Sequence, residues 1–115
     1  CRAEGITTVG LADCRGRVGE VVTRELDRLA LTCDVVYVDL DVDVVDRAFV
    51  PGCPGARPGG LLPHELLEAA VAAGKHRSVR AVDVTEVDAA ADMSGITVQL
   101  AAMCLLSVAA GWASR

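Results

Sequence analysis

Asp39, Asp41 and Asp43 alternate with Leu40 and Val42, and Asp46 follows after two valines. In an extended strand this alternation puts three carboxylates on one face at intervals of about 6.6 Å, because the backbone rises about 3.3 Å per residue and side chains repeat at every second position. Carboxylates held so close raise one another's proton affinity unless a cation sits among them. Oxygen donors of this kind suit Mg2+, Ca2+ or Mn2+, and Mn2+ is favoured where imidazoles from elsewhere complete the shell. The spacing by itself leaves a solvated acidic turn at a strand end as an equal alternative.

The elements that must position these acids follow from hydrophobic periodicity. Residues 34–41 are β-branched at the start and then alternate, as a buried strand does when its end emerges at a site. Ile6 to Val9 predicts an earlier strand ended by Gly10, and the spacing of Val18, Val21, Val22, Leu26, Leu29 and Ala30 predicts a helix to Leu31. Residues 44–60 hold three prolines and four glycines, a longer connection than the ordinary run of about 4 to 6 residues, and long ordered loops often carry function. Pro63 opens a helix over Glu65 to Ala73 that Gly74 is expected to stop. Val79 to Val84 predicts a third strand, and Ser94 is placed to cap a last helix from Ile96 to Ala110. That helix is shorter than the roughly 20 residues of a membrane span and reads as a core helix. The order βαβαβα indicates an α/β layer with a parallel sheet flanked by helices. Three parallel strands leave faces and edges uncovered, so further chain upstream of Cys1 is expected.

Composition narrows the partners. A chain of 115 residues has room for one small domain, and 52% hydrophobic residues with a mean hydropathy of +0.40 give it a core to bury. A net charge of −5 repels phosphate, and three aromatics offer no stacking platform, so nucleic acid is excluded as the expected partner. Five cysteines without a C-x-x-C pair form neither a zinc knuckle nor a disulfide framework and are read as reduced core fillers. With no secretory signal legible, a cytoplasmic setting is the default. His64 and His76 are read as surface residues, Asp46 as an organiser of the following loop and Asp83 as a structural acceptor.

Two rivals for the acidic run fail on their own residues. A calcium loop beginning at Asp39 needs Gly at its sixth position and Glu at its twelfth, where Val44 and Val50 stand. A phospho-accepting receiver domain keeps an acidic pair after its first strand and a Lys after its last, whereas here Asp13 is alone and Lys75 precedes the third strand.

The run from Leu40 to Gly52, closed by Gly59-Gly60-Leu61, resembles the ureohydrolase superfamily of arginase, agmatinase and formimidoylglutamase, whose pattern is D-x-D-x-x-D-P-x-x-x-P followed by G-G-L. Val82 to Asp88 is similar to that family's D-x-x-E-V-N segment, in the same order along the chain. The resemblance implies a three-layer α/β/α fold, of which residues 1–115 are the C-terminal portion of a single domain. It also implies a site for two Mn2+ ions that activates water for attack on an amidine or guanidine carbon. Asp41 would bridge the ions, Asp43 would bind one of them, and Glu86 would hold the cationic amidinium of the substrate. Arg47 in place of Pro, Asp39 in place of a small polar residue and Asp88 in place of Asn depart from the pattern without touching Asp41 or Asp43. The family's other ligands belong to upstream G-G-D-H and D-A-H-x-D segments, so this stretch alone is expected to be inactive. A formimidoylglutamase-like activity is favoured over agmatinase or arginase because the loop from Cys53 to Pro58 lacks the G-T-P-type run of agmatinases and carries Arg57, which can pair with a substrate carboxylate. The resemblance further implies a homo-oligomer when complete; the competing class is a non-catalytic module kept for assembly.

Overall fold

The computed structural model describes residues 5–115. A short helix α1 (Leu11–Cys14) leads into α2 (Val18–Ala30), then strand β1 (Val36–Asp41), two single 3₁₀ turns (Val42–Val44 and Arg47–Phe49), α3 (Pro63–Lys75), β2 (Val79–Thr85) and α4 (Ile96–Ala113). β1 and β2 pair in parallel, from Val36 opposite Val79 to Asp41 opposite Thr85, with Arg80 extra at an irregularity near the start. The chain crosses between them through α3, as parallel neighbours require.

The β-branched residues explain the strands. Val36, Val38 and Leu40 on β1, with Val79, Val82 and Val84 on β2, point to the helical side and join the core. That core continues into the loop after β1 through Val42, Val45, Val50, Cys53 and Ala56, and into the helices through Leu66, Ala70, Leu100, Cys104 and Val108. Val42, Val45 and Val50 are fully buried, and each such side chain contributes about 1.5 to 3 kcal/mol. The long loop is therefore a packed part of the fold rather than a surface excursion.

Four expectations are corrected. Ile6 to Val9 forms no strand; β1 and β2 pair only with each other among the described residues, so this β-branched run has no edge to join. Gly74 lies inside α3, which runs on to Lys75, because α3 and α4 cross there in backbone contact. A Cβ on Gly74 would stand 2.3 Å from the Val108 carbonyl oxygen, and one on Gly111 would stand 2.7 Å from that of Val71. Ser94 does not cap α4: the N-cap is Gly95 in a left-handed conformation, and Asp92 takes the free Val98 N–H instead. Finally, α4 extends three residues beyond Ala110 and is long and apolar enough to cross a membrane by length and composition. Thr97, Leu100, Cys104, Val108 and Gly111 are nonetheless buried along one side of it, and it packs on α3.

Candidate functional site

The site lies where β1 and β2 end side by side, at their carboxyl termini, the usual ligand position in a parallel α/β sheet. Asp39 and Asp41 are on β1, but Asp43 is not on their strand face: β1 stops at Asp41 and Asp43 sits in the 3₁₀ turn that follows. The turn forms because the Asp41 carboxylate accepts the Asp43 N–H at 3.0 Å, an acidic N-cap that brings the two carboxylates together. Burial, then the neighbouring charge of Asp41, pushes the Asp43 carboxyl above its ordinary range, and Arg57 opposes the shift. Asp39 is occupied differently, accepting a hydrogen bond from the Thr85 hydroxyl across the strands at 2.8 Å. Its direct neighbour Asp83 accepts from the Tyr37 hydroxyl, which defuses two like charges placed opposite each other. That bond, first among the causes, pushes the Tyr37 hydroxyl up to about 12.

Glu86 begins the loop after β2 and holds φ at 63°, the left-handed region that a non-glycine residue occupies only when its surroundings enforce it. Its carboxylate and that of Asp43 flank one glycine. A Cβ on Gly55 would stand 2.8 Å from Asp43 Oδ2 and 3.4 Å from Glu86 Oε2, so a side chain there would fill the space between them. The structure thus places Asp43 next to Asp41 on one side and across Gly55 from Glu86 on the other. Among the described residues no three or more His, Cys, Asp or Glu side chains converge as a complete metal-holding set.

The loop that delivers Gly55 is fastened at both ends. Asp46 accepts from the Ala48 N–H at 2.9 Å and from the Gly59 N–H at 2.6 Å, which holds its carboxyl below the usual range and makes it the loop organiser expected. Val44 to Asp46 pair with Leu61 by backbone hydrogen bonds, and the close approach leaves no room for a Cβ on Gly60, 2.5 Å from the Asp46 nitrogen. Arg47 donates to the carbonyls of Cys53 and Pro54. Arg57 is exposed and donates through one nitrogen to the carbonyls of Pro54 and Ala56. Cys53 and Cys104 are buried free thiols as expected; Cys14 is half-buried and Cys33 exposed, while Cys1 lies outside the described residues. His64 is exposed, but His76 is mostly buried and hydrogen-bonded to Asp27, so only the first is a surface residue.

The chain is a parallel α/β layer with paired carboxylates and a strained glutamate at adjacent strand ends. A sequence model described as the Arginase family matches residues 1–111. The chain belongs to that family. It is 35% identical over 91 residues to a formimidoylglutamase of Halalkalibacterium halodurans, covering 79% of this chain and 28% of the relative. It is 41% identical over 100 residues to the proclavaminate amidinohydrolase of Streptomyces clavuligerus, covering 87% and 31%. The crystal structure of formimidoylglutamase from Bacillus subtilis superposes with a TM-score of 0.90 at 27% identity, covering 99% of this chain and 36% of that one. The chain therefore spans about a third of the length of the relatives it matches.

Two functional features escape sequence reasoning. The left-handed backbone of Glu86 has no signature in a residue type that avoids it, and the place of Gly55 depends on contacts with Asp43, earlier in the same loop, and with Glu86 from the loop after β2. The G-C-P-G run around Gly55 was the available signal.

Proposed function

We propose that this chain is part of a manganese-dependent hydrolase of linear amidines, with formiminoglutamate the preferred substrate class. The observation that carries this reading is that Asp43 and Glu86 flank Gly55 at the ends of the two strands, with Asp41 capping the turn that carries Asp43. The donor set fits a hard divalent cation: two adjacent carboxylates, one with its proton affinity raised first by burial and then by the charge of the other. Asp41 would bridge two ions and Asp43 would hold one, and manganese when bound supplies activated water near neutral pH. Glu86 accepts paired N–H donors from the amidinium and orients its carbon toward the carboxylate pair. Gly55 leaves the volume between Asp43 and Glu86 free for the planar group. Arg57, whose charge is felt at Asp43 and which commits one terminal nitrogen to the carbonyls of Pro54 and Ala56, offers a partner for a carboxylate at the far end of the substrate. Formiminoglutamate carries such a group and agmatine does not.

The test is turnover by the complete manganese-loaded protein of formiminoglutamate, agmatine, arginine and guanidinobutyrate. Fastest turnover of formiminoglutamate is expected; fastest turnover of agmatine would overturn the ranking. A second reading, a non-catalytic assembly module, is favoured by the incomplete ligand set among the described residues. An in-frame upstream segment carrying G-G-D-H and D-A-H-x-D runs would decide for the enzyme, and a start codon next to Cys1 for the module.

A further inference from the structure

Behind the site runs a buried chain of hydrogen bonds that joins three separate segments. The Gly52 N–H donates to Thr97 Oγ1 at 2.8 Å, the Thr97 hydroxyl donates to Asp92 Oδ1 at 3.2 Å, and Asp92 Oδ2 accepts the Val98 N–H at 2.9 Å. Gly52 spends its other backbone group on the far side, where its carbonyl accepts the Asp88 N–H at 2.8 Å. Thr97 is fully buried and Asp92 nearly so. The packing is tight enough that a Cβ on Gly52 would stand 2.4 Å from Asp92 Cβ and 2.9 Å from the Asp88 carbonyl. One end of this clasp is three residues before Gly55 and the other is two residues after Glu86, whose backbone is the one strained non-glycine conformation among the described residues. Strain of that kind persists only where neighbouring structure over-determines it, and the bonds from Gly52 to Asp88 and to Thr97 supply that constraint.

We propose that Thr97 and Asp92 are positioning residues: through Gly52 they fix the Gly55 loop against the segment after β2 and hold Glu86 in its left-handed conformation, facing Asp43. The inference rests on the functional reading for what Glu86 does, but not for how it is held. The geometry is distinct from the carboxylate pair, because none of the clasp's bonds involves Asp41 or Asp43.

The experiment uses the complete protein. Thr97→Val keeps the shape of the side chain and removes the hydroxyl. It is expected to move Glu86 out of positive φ in a crystal structure, and to lower kcat/KM for formiminoglutamate about 10- to 100-fold, as a displacement near 1 Å does. Manganese content should stay at the wild-type level. Thr97→Ser, which preserves donor and acceptor, should restore both the conformation and the rate. Should Thr97→Val not fold, Asp92→Asn, which keeps shape and volume but sets an amide against the Val98 N–H or the Thr97 hydroxyl, gives the same two readouts. Glu86 unmoved and kcat/KM unchanged in a folded variant would overturn the proposal. If the wild-type protein hydrolyses none of the four amidines, the functional reading falls, and the backbone of Glu86 in the variants decides the positioning role alone.

Discussion

Asp41, Asp43 and Asp39 share a charge and a neighbourhood yet are committed to different partners, and this separates their expected behaviour. Asp41 caps the turn that carries Asp43, while Asp39 is tied across the sheet to Thr85. In the complete protein Asp41→Asn is expected to lose manganese and nearly all turnover, since two nearby cations would lack their bridging charge. Asp43→Asn should loosen one ion, and Asp39→Asn should do little by comparison. Glu86→Gln should leave metal content near wild type while turnover or substrate affinity collapses. Metal analysis beside kinetics separates these outcomes; a full manganese complement with normal turnover in Asp41→Asn would remove the assignment.

At the scale of elements, α3 is held at both ends by interactions its periodicity does not announce. Glu65 is buried at its first turn, with Oε1 accepting the Gly16 N–H at 2.7 Å and Oε2 accepting the Leu62 N–H at 2.8 Å, so one carboxylate joins the start of α3 to the turn before α2. Leu62 cannot return the bond, so this is half of a capping box. The Leu62 N–H first, then that of Gly16, holds the Glu65 carboxyl below its ordinary 4.5. A carboxyl depressed in the folded state stabilises the fold above its unfolded value, and this contribution fades as pH falls from about 4.5 through the folded value. Glu65→Gln should therefore cost about 1 to 3 kcal/mol at pH 7, from the lost charged acceptor, and flatten the acid limb of a stability profile measured by denaturant unfolding. An unchanged acid limb would show that another group governs it. At the far end, Gly74→Ala and Gly111→Ala should each destabilise by about 1 to 3 kcal/mol despite the better helix propensity of alanine, because the added methyl meets backbone of the crossing helix. A rise in melting temperature would contradict the crossing.

The same elements show what a sequence discloses. α2, β1, α3, β2 and α4 are legible because their apolar spacing matches the faces they bury, and the loop-organising role of Asp46 follows in part from its short-range turn to Ala48. Ile6 to Val9 misleads because β-branching marks a preference for a sheet, whereas a strand exists only beside a partner. Gly74 misleads because glycine serves equally to end a helix and to let another helix approach. The spacing singles out Asp41 and Asp43 but not the 3₁₀ turn that takes Asp43 off the strand face, and the clasp of Gly52 and Thr97 joins residues 45 positions apart through a hydroxyl in an apolar helix, where no local pattern marks it.

For the molecule as a whole, α4 exposes Val98, Met103, Leu105, Leu106 and Trp112, and among the described residues the sheet has two strands. An apolar surface of this extent on a chain of 115 residues predicts self-association when these residues are produced by themselves. Light scattering on the isolated chain should report species larger than a monomer, with binding of a hydrophobic dye, and joint substitution of Leu105 and Leu106 by Gln should reduce both. A monodisperse monomer that binds no dye would count against that prediction.

The bonds that shape the site span long stretches of chain: Thr85 to Asp39 over 46 residues, Gly16 to Glu65 over 49 and Gly52 to Thr97 over 45. Contacts of such separation form late, because the intervening chain must be ordered first. During synthesis at about 5 to 20 residues per second, the acidic turn after β1, ending at Val44, is made about 3 to 11 s before Thr97 is even joined to the chain. The nascent protein thus carries its paired carboxylates for seconds before the clasp between Gly52 and Thr97 can close.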